Sequence, residues 1–198
     1  VEFRKSDLTT GVELDGATLT VLDKDGNEID KWTSVKGEPH IIKRLHVGET
    51  YILREEFAPY GYLKAEEVEF TITDTAEIQK VEMKDDVPIG RIIINKKGEF
   101  LSEVSWNDMV AGAMDSIWGY VTGSLKDVTF EIYAREDIKA ADGESDDYYK
   151  KDELVATIKT DELGIARTDD LPLGKYYVVE KETADGFVLD GEPRDIDL

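Results

Sequence analysis

The sequence predicts an all-β protein, two antiparallel β-sandwiches in tandem, the second carrying an insertion and lacking its closing strand. Three observations lead there. Short segments with period-two alternation of apolar and polar residues recur along the chain, separated by turn dipeptides and with no long helical pattern. The order of features in the first half returns in the second. The length of 198 residues suits two domains of about 100 residues each.

Ala17–Leu22 alternates and runs into Asp25-Gly26, a hairpin turn pair. Tyr51–Glu55, Val68–Ile72 and Ile78–Met83 also read as strands. Asp86–Gly90 breaks the pattern and Arg91–Asn95 starts a fresh strand, which places the boundary near Val87 and gives domains of 1–87 and 88–198. In the second half, Ile92–Lys96 corresponds to Glu2–Lys5, Val128–Tyr133 to Ala17–Leu22, Leu173–Glu180 to Val47–Glu55, and Gly186-Phe187 to Gly61-Tyr62. An insertion, roughly Glu99 to Lys126, has no counterpart in the first half. Its Trp106, Met109, Met114 and Trp118 predict an apolar helix face, which Gly112 weakens. The acidic stretch Asp142 to Asp152 reads as a solvated loop.

Composition narrows the function. With 24 Lys+Arg against 45 Asp+Glu, the net charge of −21 repels nucleic acid and anionic lipid, so neither is an expected partner. No apolar run reaches the roughly 18 residues of a membrane span, and any export signal is expected outside these residues. There is no cysteine, so a secreted pair of small domains needs another staple than a disulfide. Asp23–Glu28 has a calcium-loop beginning without the distal bidentate glutamate, and reads as a hairpin turn. His40 and His46 lack companions at ligand spacing; no metal site, phosphate loop or Ser/His/Asp set is found, and no cofactor is implied.

Strand parity picks out the candidate chemistry. Residues two apart share a face of a strand, so Phe3 places Lys5 inward, Tyr51 and Leu53 place Glu55 inward, and Val81 and Met83 place Asp85 inward. Ile92 and Ile94 do the same for Lys96, and Tyr176 and Val178 for Glu180. Each of these ends an apolar face on a charge, which is costly unless the charge is paired or neutralised. A solvated head group at a strand end explains one such residue more simply than it explains a set.

Tyr51-Ile-Leu-Arg-Glu55-Glu-Phe-Ala58-Pro59-Tyr-Gly61-Tyr62 resembles the E-box of Gram-positive pilins and adhesins, Y-x-L-x-E-T-x-A-P-x-G-Y, departing at Glu56. Lys5–Ala17 resembles the opening K-x-D-x-x-T-G-x-x-L-x-G-A, and Val81–Asp85 the closing strand that ends in Asn or Asp. The resemblance is to Cna B-type domains, also called SpaA-like or prealbumin-like. The second half fits less fully: Lys181, Thr183 and Ala184 stand in place of Thr, Ala and Pro, and the chain reaches Leu198 before a closing strand, leaving Lys96 and Glu180 without a visible partner.

The resemblance implies Ig-like, prealbumin-like sandwiches and an intramolecular isopeptide bond between Lys5 and Asp85, formed once with Glu55 as the catalytic acid; Glu180 and Lys96 are the corresponding residues of the second module. Burial favours a neutral amine and protonated carboxyls, as that chemistry requires. The implied protein is not a turnover enzyme. It is a stalk or pilin-type module of an extracellular, cell-wall-anchored surface protein, with neighbouring domains of the parent protein as partners. The competing reading is an adhesin domain that binds a host protein or glycan through the insertion around Trp106 and Trp118. A carbohydrate-active enzyme, which needs an acid pair in a cleft, fits the carboxylates less well.

Overall fold

The computed structural model describes residues 1–106 and 116–198, with backbone alone over 101–106 and 116–120. The described residues form strands and connecting loops, without a helix. They divide into two compact units, Val1–Pro88 with Lys139–Asp147, and Ile89–Ile138 with Tyr148–Leu198.

The first unit contains β1 (Glu2–Asp7), β2 (Thr18–Leu22), β3 (Glu28–Thr33), β4 (His40–Ile41), β5 (Thr50–Phe57), β6 (Val68–Thr71) and β7 (Lys80–Asp85). Two sheets face each other, one in the order β3-β2-β5-β6 and one in the order β4-β1-β7. The β2–β3 hairpin follows from its turn chemistry. The Asp23 Oδ1 atom accepts the N–H groups of Asp25 and Asn27, both at 2.9 Å, and Gly26 supplies the left-handed φ of 83°. Inward residues of both sheets, among them Phe3, Leu19, Val21, Leu53, Phe70 and Met83, make one core. Burial alternates strictly along β7 and along β5 as far as Glu56, as their sequences predict, with Phe57 exposed at the end of β5.

One pairing departs from the antiparallel expectation. β1 and β7 run parallel, in register from Glu2↔Lys80 to Asp7↔Asp85. Five strands separate them in the chain, so no tight turn dictates their relative direction.

The second unit contains β8 (Ile89–Gly90), β9 (Ile93–Asn95), β10 (Lys97–Trp106), β11 (Ser116–Ser124), β12 (Thr129–Ala134), β13 (Leu154–Lys159), β14 (Ile165–Arg167), β15 (Leu171–Pro172), β16 (Lys175–Glu182) and β17 (Arg194–Asp197). Its main sheet, β13-β12-β16-β17, repeats β3-β2-β5-β6. The repeat holds to the residue: Phe130 pairs with Glu180 as Leu19 pairs with Glu55, and Tyr176 pairs with Ile196 as Tyr51 pairs with Phe70. β9 pairs antiparallel with β14 as β1 does with β4. Its core gathers Ile92, Val128, Phe130, Ile132, Tyr176 and Val178.

The helix expected in the insertion is corrected. β10 and β11 form an antiparallel pair, Lys97↔Ser124 through Trp106↔Ser116, so Trp106 and Trp118 belong to strands; Met109, Gly112 and Met114 lie outside the described residues. Ser102, Ser105, Val121, Thr122 and two further glycines, Gly119 and Gly123, are poor helix formers. The β-branched and aromatic members suit a pleated surface instead.

Leu53 is fully buried between the sheets, whereas Val188 is 90% exposed. Leu53→Ala is expected to destabilise the protein by about 2–5 kcal/mol, and Val188→Ala to change it by no more than about 0.5 kcal/mol. Urea unfolding of both variants checks the contrast.

Candidate functional site: a buried lysine between two carboxyls

Lys5, Glu55 and Asp85 meet at one end of the first core. Lys5 and Asp85 come from the neighbouring parallel strands β1 and β7, and Glu55 reaches across from β5 in the opposite sheet. In the β1–β7 register Lys5 lies opposite Met83, so Asp85 is its diagonal neighbour on the same face, within reach of a long side chain. The side chains of the three are 1%, 0% and 0% exposed, so none has its head group in water. The Lys5 Nζ atom donates to Asp85 Oδ1 and lies 3.0 Å from Glu55 Oε1. Glu55 is oriented from its other oxygen, Oε2, which accepts the Ala65 N–H at 2.7 Å.

The electrostatics of the site separate two buried aspartates that sit side by side in the register. Burial pushes the Asp85 carboxyl up to about 6, from 3.8; the Lys5 ammonium opposes the rise and Glu55 adds to it. Asp85 Oδ2 is buried with no hydrogen-bond partner among the described residues, an arrangement that favours a proton on that carboxyl. Asp7 behaves oppositely. Burial raises it too, but the N–H groups of Thr10 and Thr9, each 2.7 Å from Oδ1, and the Tyr62 hydroxyl, 2.8 Å from Oδ2, hold it below its ordinary value.

Asp7 and Tyr62 were not singled out by sequence reasoning, although both lie inside the motifs. An Asp whose carboxylate can accept backbone N–H groups two and three residues on, as in Asp7-Leu8-Thr9-Thr10, is the signal for an Asx turn; the Tyr62 contact spans 55 positions and leaves no local trace. Together with the Leu8 N–H bonded to the Asp85 carbonyl and the Leu63 N–H bonded to the Asp86 carbonyl, each at 2.8 Å, they tie the ends of β1 and β7 to the loop after β5.

In the second unit, Lys96 Nζ donates to Glu180 Oε2 at 2.5 Å, with side chains 23% and 3% exposed. The pairing of amine and carboxyl is thus repeated, and a further acid is near: Asp190 is held below its ordinary value by the Arg194 guanidinium first, then by the Glu192 N–H, with Lys96 adding to the effect. Glu180 Oε1 is buried and lacks a hydrogen-bond partner among the described residues. Of the weaker candidates, His40 stacks on Trp32 at 4.1 Å and faces Asp30 Oδ2 at 2.8 Å. His46 offers its backbone N–H to the Tyr51 hydroxyl at 3.0 Å.

Arranged this way, a buried amine held against a carboxyl, with a second carboxyl adjacent, can undergo condensation: the two reacting groups are already in contact and shielded from water.

Comparison with known proteins agrees with this architecture. The chain resembles the Bacillus anthracis TIE protein at 25% identity and a TM-score of 0.57, over 99% of this chain and 30% of that one. It also aligns with a streptococcal ancillary pilin at 14% identity, TM-score 0.39, over its full length and 57% of that chain. A third alignment is to BcpA, the major pilin subunit of Bacillus cereus, at 12% identity, TM-score 0.37, covering 94% of that chain. The chain thus spans under two thirds of the first two of these relatives. Among curated proteins none matches. The family model of SpaA, described as a prealbumin-like fold domain, matches residues 1–87 and 120–198, leaving out a stretch that overlaps the insertion. The chain therefore belongs to the SpaA family of prealbumin-like fold domains.

Proposed function

We propose that the protein is a structural, non-enzymatic stalk or pilin-type segment of a Gram-positive cell-surface protein, and that its first module is locked by a self-formed amide between Lys5 and Asp85. The observation that carries this reading is the buried contact of Lys5 Nζ with the Asp85 carboxyl beside Glu55. In the reaction, the neutral amine attacks the Asp85 carboxyl carbon and a C–N bond forms. The amine's surplus proton passes through Glu55 to the departing hydroxyl, and water leaves. Burial and the proximity of Glu55 keep the Asp85 carboxyl receptive by raising it. The product exchanges two buried charges for a neutral amide, removing the desolvation cost of the ion pair. It also supplies the staple that a cysteine-free chain lacks. Neighbouring domains of the same surface protein are the expected partners.

Intact mass tests the bond directly. The wild-type protein should fall one water short of its sequence mass, and Glu55→Gln and Lys5→Ala should restore the full value. A full mass for purified wild type would sink the proposal.

The tie closes a loop between residues 80 positions apart, which in the chain-entropy treatment is worth about 4–5 kcal/mol. Lys5→Ala should lose at least that much in denaturant unfolding. Asp85→Asn, which can still condense with loss of ammonia, should stay near wild type. Equal stability of all three proteins would leave the bond without a role.

The raised Asp85 carboxyl gives a pH signature in protein that has not condensed. A group raised in the folded state binds its proton more tightly there, so its contribution is complete below about pH 4 and is lost as pH rises through about 6. In Glu55→Gln, where burial of Asp85 persists, stability should decline across that window by up to about 3 kcal/mol. Wild type, whose Asp85 no longer titrates once it is an amide, should lack that decline. Melting both proteins between pH 4 and 7 makes the comparison, and parallel profiles would argue against it.

A further inference from the structure

A segment far along the chain, Lys139–Asp147, belongs to the first unit. It overlaps the acidic stretch that reads in sequence as a solvated loop, and here that stretch has partners. Asp142 folds the segment on itself: its Oδ1 atom accepts the N–H groups of Glu144 at 3.0 Å and Ser145 at 2.9 Å, and Gly143 takes a left-handed φ of 70°. The other oxygen, Oδ2, accepts the Ser145 hydroxyl and, at 3.3 Å, the Thr10 hydroxyl. Burial pushes the Asp142 carboxyl up, but these donors outweigh it and hold the group below its ordinary value, so it stays a charged acceptor. Ala141 lies against Gly61: a Cβ built at Gly61 would come within 3.3 Å of the Ala141 Cβ. A third anchor is the ion pair of Lys36 with Glu144.

The anchors fall where the end of the first core is closed. Asp7 accepts the Thr10 N–H and also the hydroxyl of Tyr62, the residue after Gly61. Ala141 and Asp142 therefore brace both sides of the Asp7–Tyr62 hydrogen bond. The loop that carries Gly61 continues to Leu63, tied to the Asp86 carbonyl, and to Ala65, whose N–H orients Glu55. We propose that Lys139–Asp147 is a strap that holds this loop and the Thr9–Gly11 turn closed over the end of the first core, slowing the entry of water to the Lys5 site. Its polar contacts lie near the surface, where each is weak, so the strap acts through several anchors together and opens as a local unit. The inference is independent of whether Lys5 and Asp85 condense, because Thr10, Tyr62 and Leu63 lie outside that tie.

Amide hydrogen exchange in the intact 198-residue protein tests the strap from both of its sides. One variant carries Asp142→Ala with Glu144→Ala, and another carries Thr10→Val. Each should speed exchange of the Leu63 and Ala65 amides by about fivefold, the change expected from one hydrogen bond. Both reporters are distant in sequence from every substituted position, so faster exchange there reads opening of the loop rather than loss of a neighbouring side chain. The chain with all three substitutions should exchange no faster than the Asp142→Ala, Glu144→Ala chain, because the two sides share one contact. Lys36→Glu should also speed exchange, and adding Glu144→Lys should restore the wild-type rate. Wild-type rates at Leu63 and Ala65 in the Asp142→Ala, Glu144→Ala chain would overturn the proposal, as would fully multiplicative effects of the two sides. So would equal acceleration at Ile132 of β12, which reports unfolding of the second core instead of release of the strap.

Discussion

The first module is organised around a lysine that cannot reach water. Removing an ammonium from solvent is tolerable only beside compensating carboxyls, and Lys5 has two, delivered by the strand next to its own and by the sheet opposite. That single requirement couples β1, β5 and β7, which are far apart in the chain. The sheets must pack close enough for Glu55 to face Lys5, and β7 must hold its register to within one residue. A slip by one position would turn Asp85 outward and put a neighbour of the wrong chemistry in its place. The uniform alternation of buried and exposed residues along β7 removes that ambiguity, because Val81 and Met83 fix the same face.

Much of this was legible from the sequence because strands convert one-dimensional parity into sidedness. Phe3 predicted the direction of Lys5, Leu53 that of Glu55 and Met83 that of Asp85, and all three side chains are buried. The internal repeat carried equally far: Glu180 is buried opposite Phe130 as the alignment with Glu55 implies. The parallel course of β1 and β7 was not legible, since alternation carries no strand direction. The Asp7–Tyr62 hydrogen bond joins residues whose separation exceeds any local motif. The insertion misled because Trp106, Met109, Met114 and Trp118 satisfy a helical spacing by residue type alone. The serines, glycines and β-branched residues around the tryptophans are what place Trp106 and Trp118 in strands.

Comparison of the two modules shows how one motif is tuned by its surroundings. Both present an amine to a glutamate on the long strand of the main sheet. Lys5 is sealed by β7, whereas Lys96 retains 23% of its side-chain exposure at the end of an open groove. Solvent access is the variable that distinguishes a sealed core pair from an accessible one.

The parallel pairing of β1 and β7 also decides how tension would travel through the first module. In a parallel pair of terminal strands, the chain enters at one end of the ladder, near Glu2 and Lys80, and leaves at the other, near Asp7 and Asp85. Pulling on the two termini therefore loads the inter-strand hydrogen bonds in shear, all of them sharing the force along the strands. An antiparallel terminal pair would instead be peeled open one bond at a time. The direct path from Val1 to Pro88 runs through these two strands alone, so the hairpins and loops between them can vary in sequence without standing in the line of force.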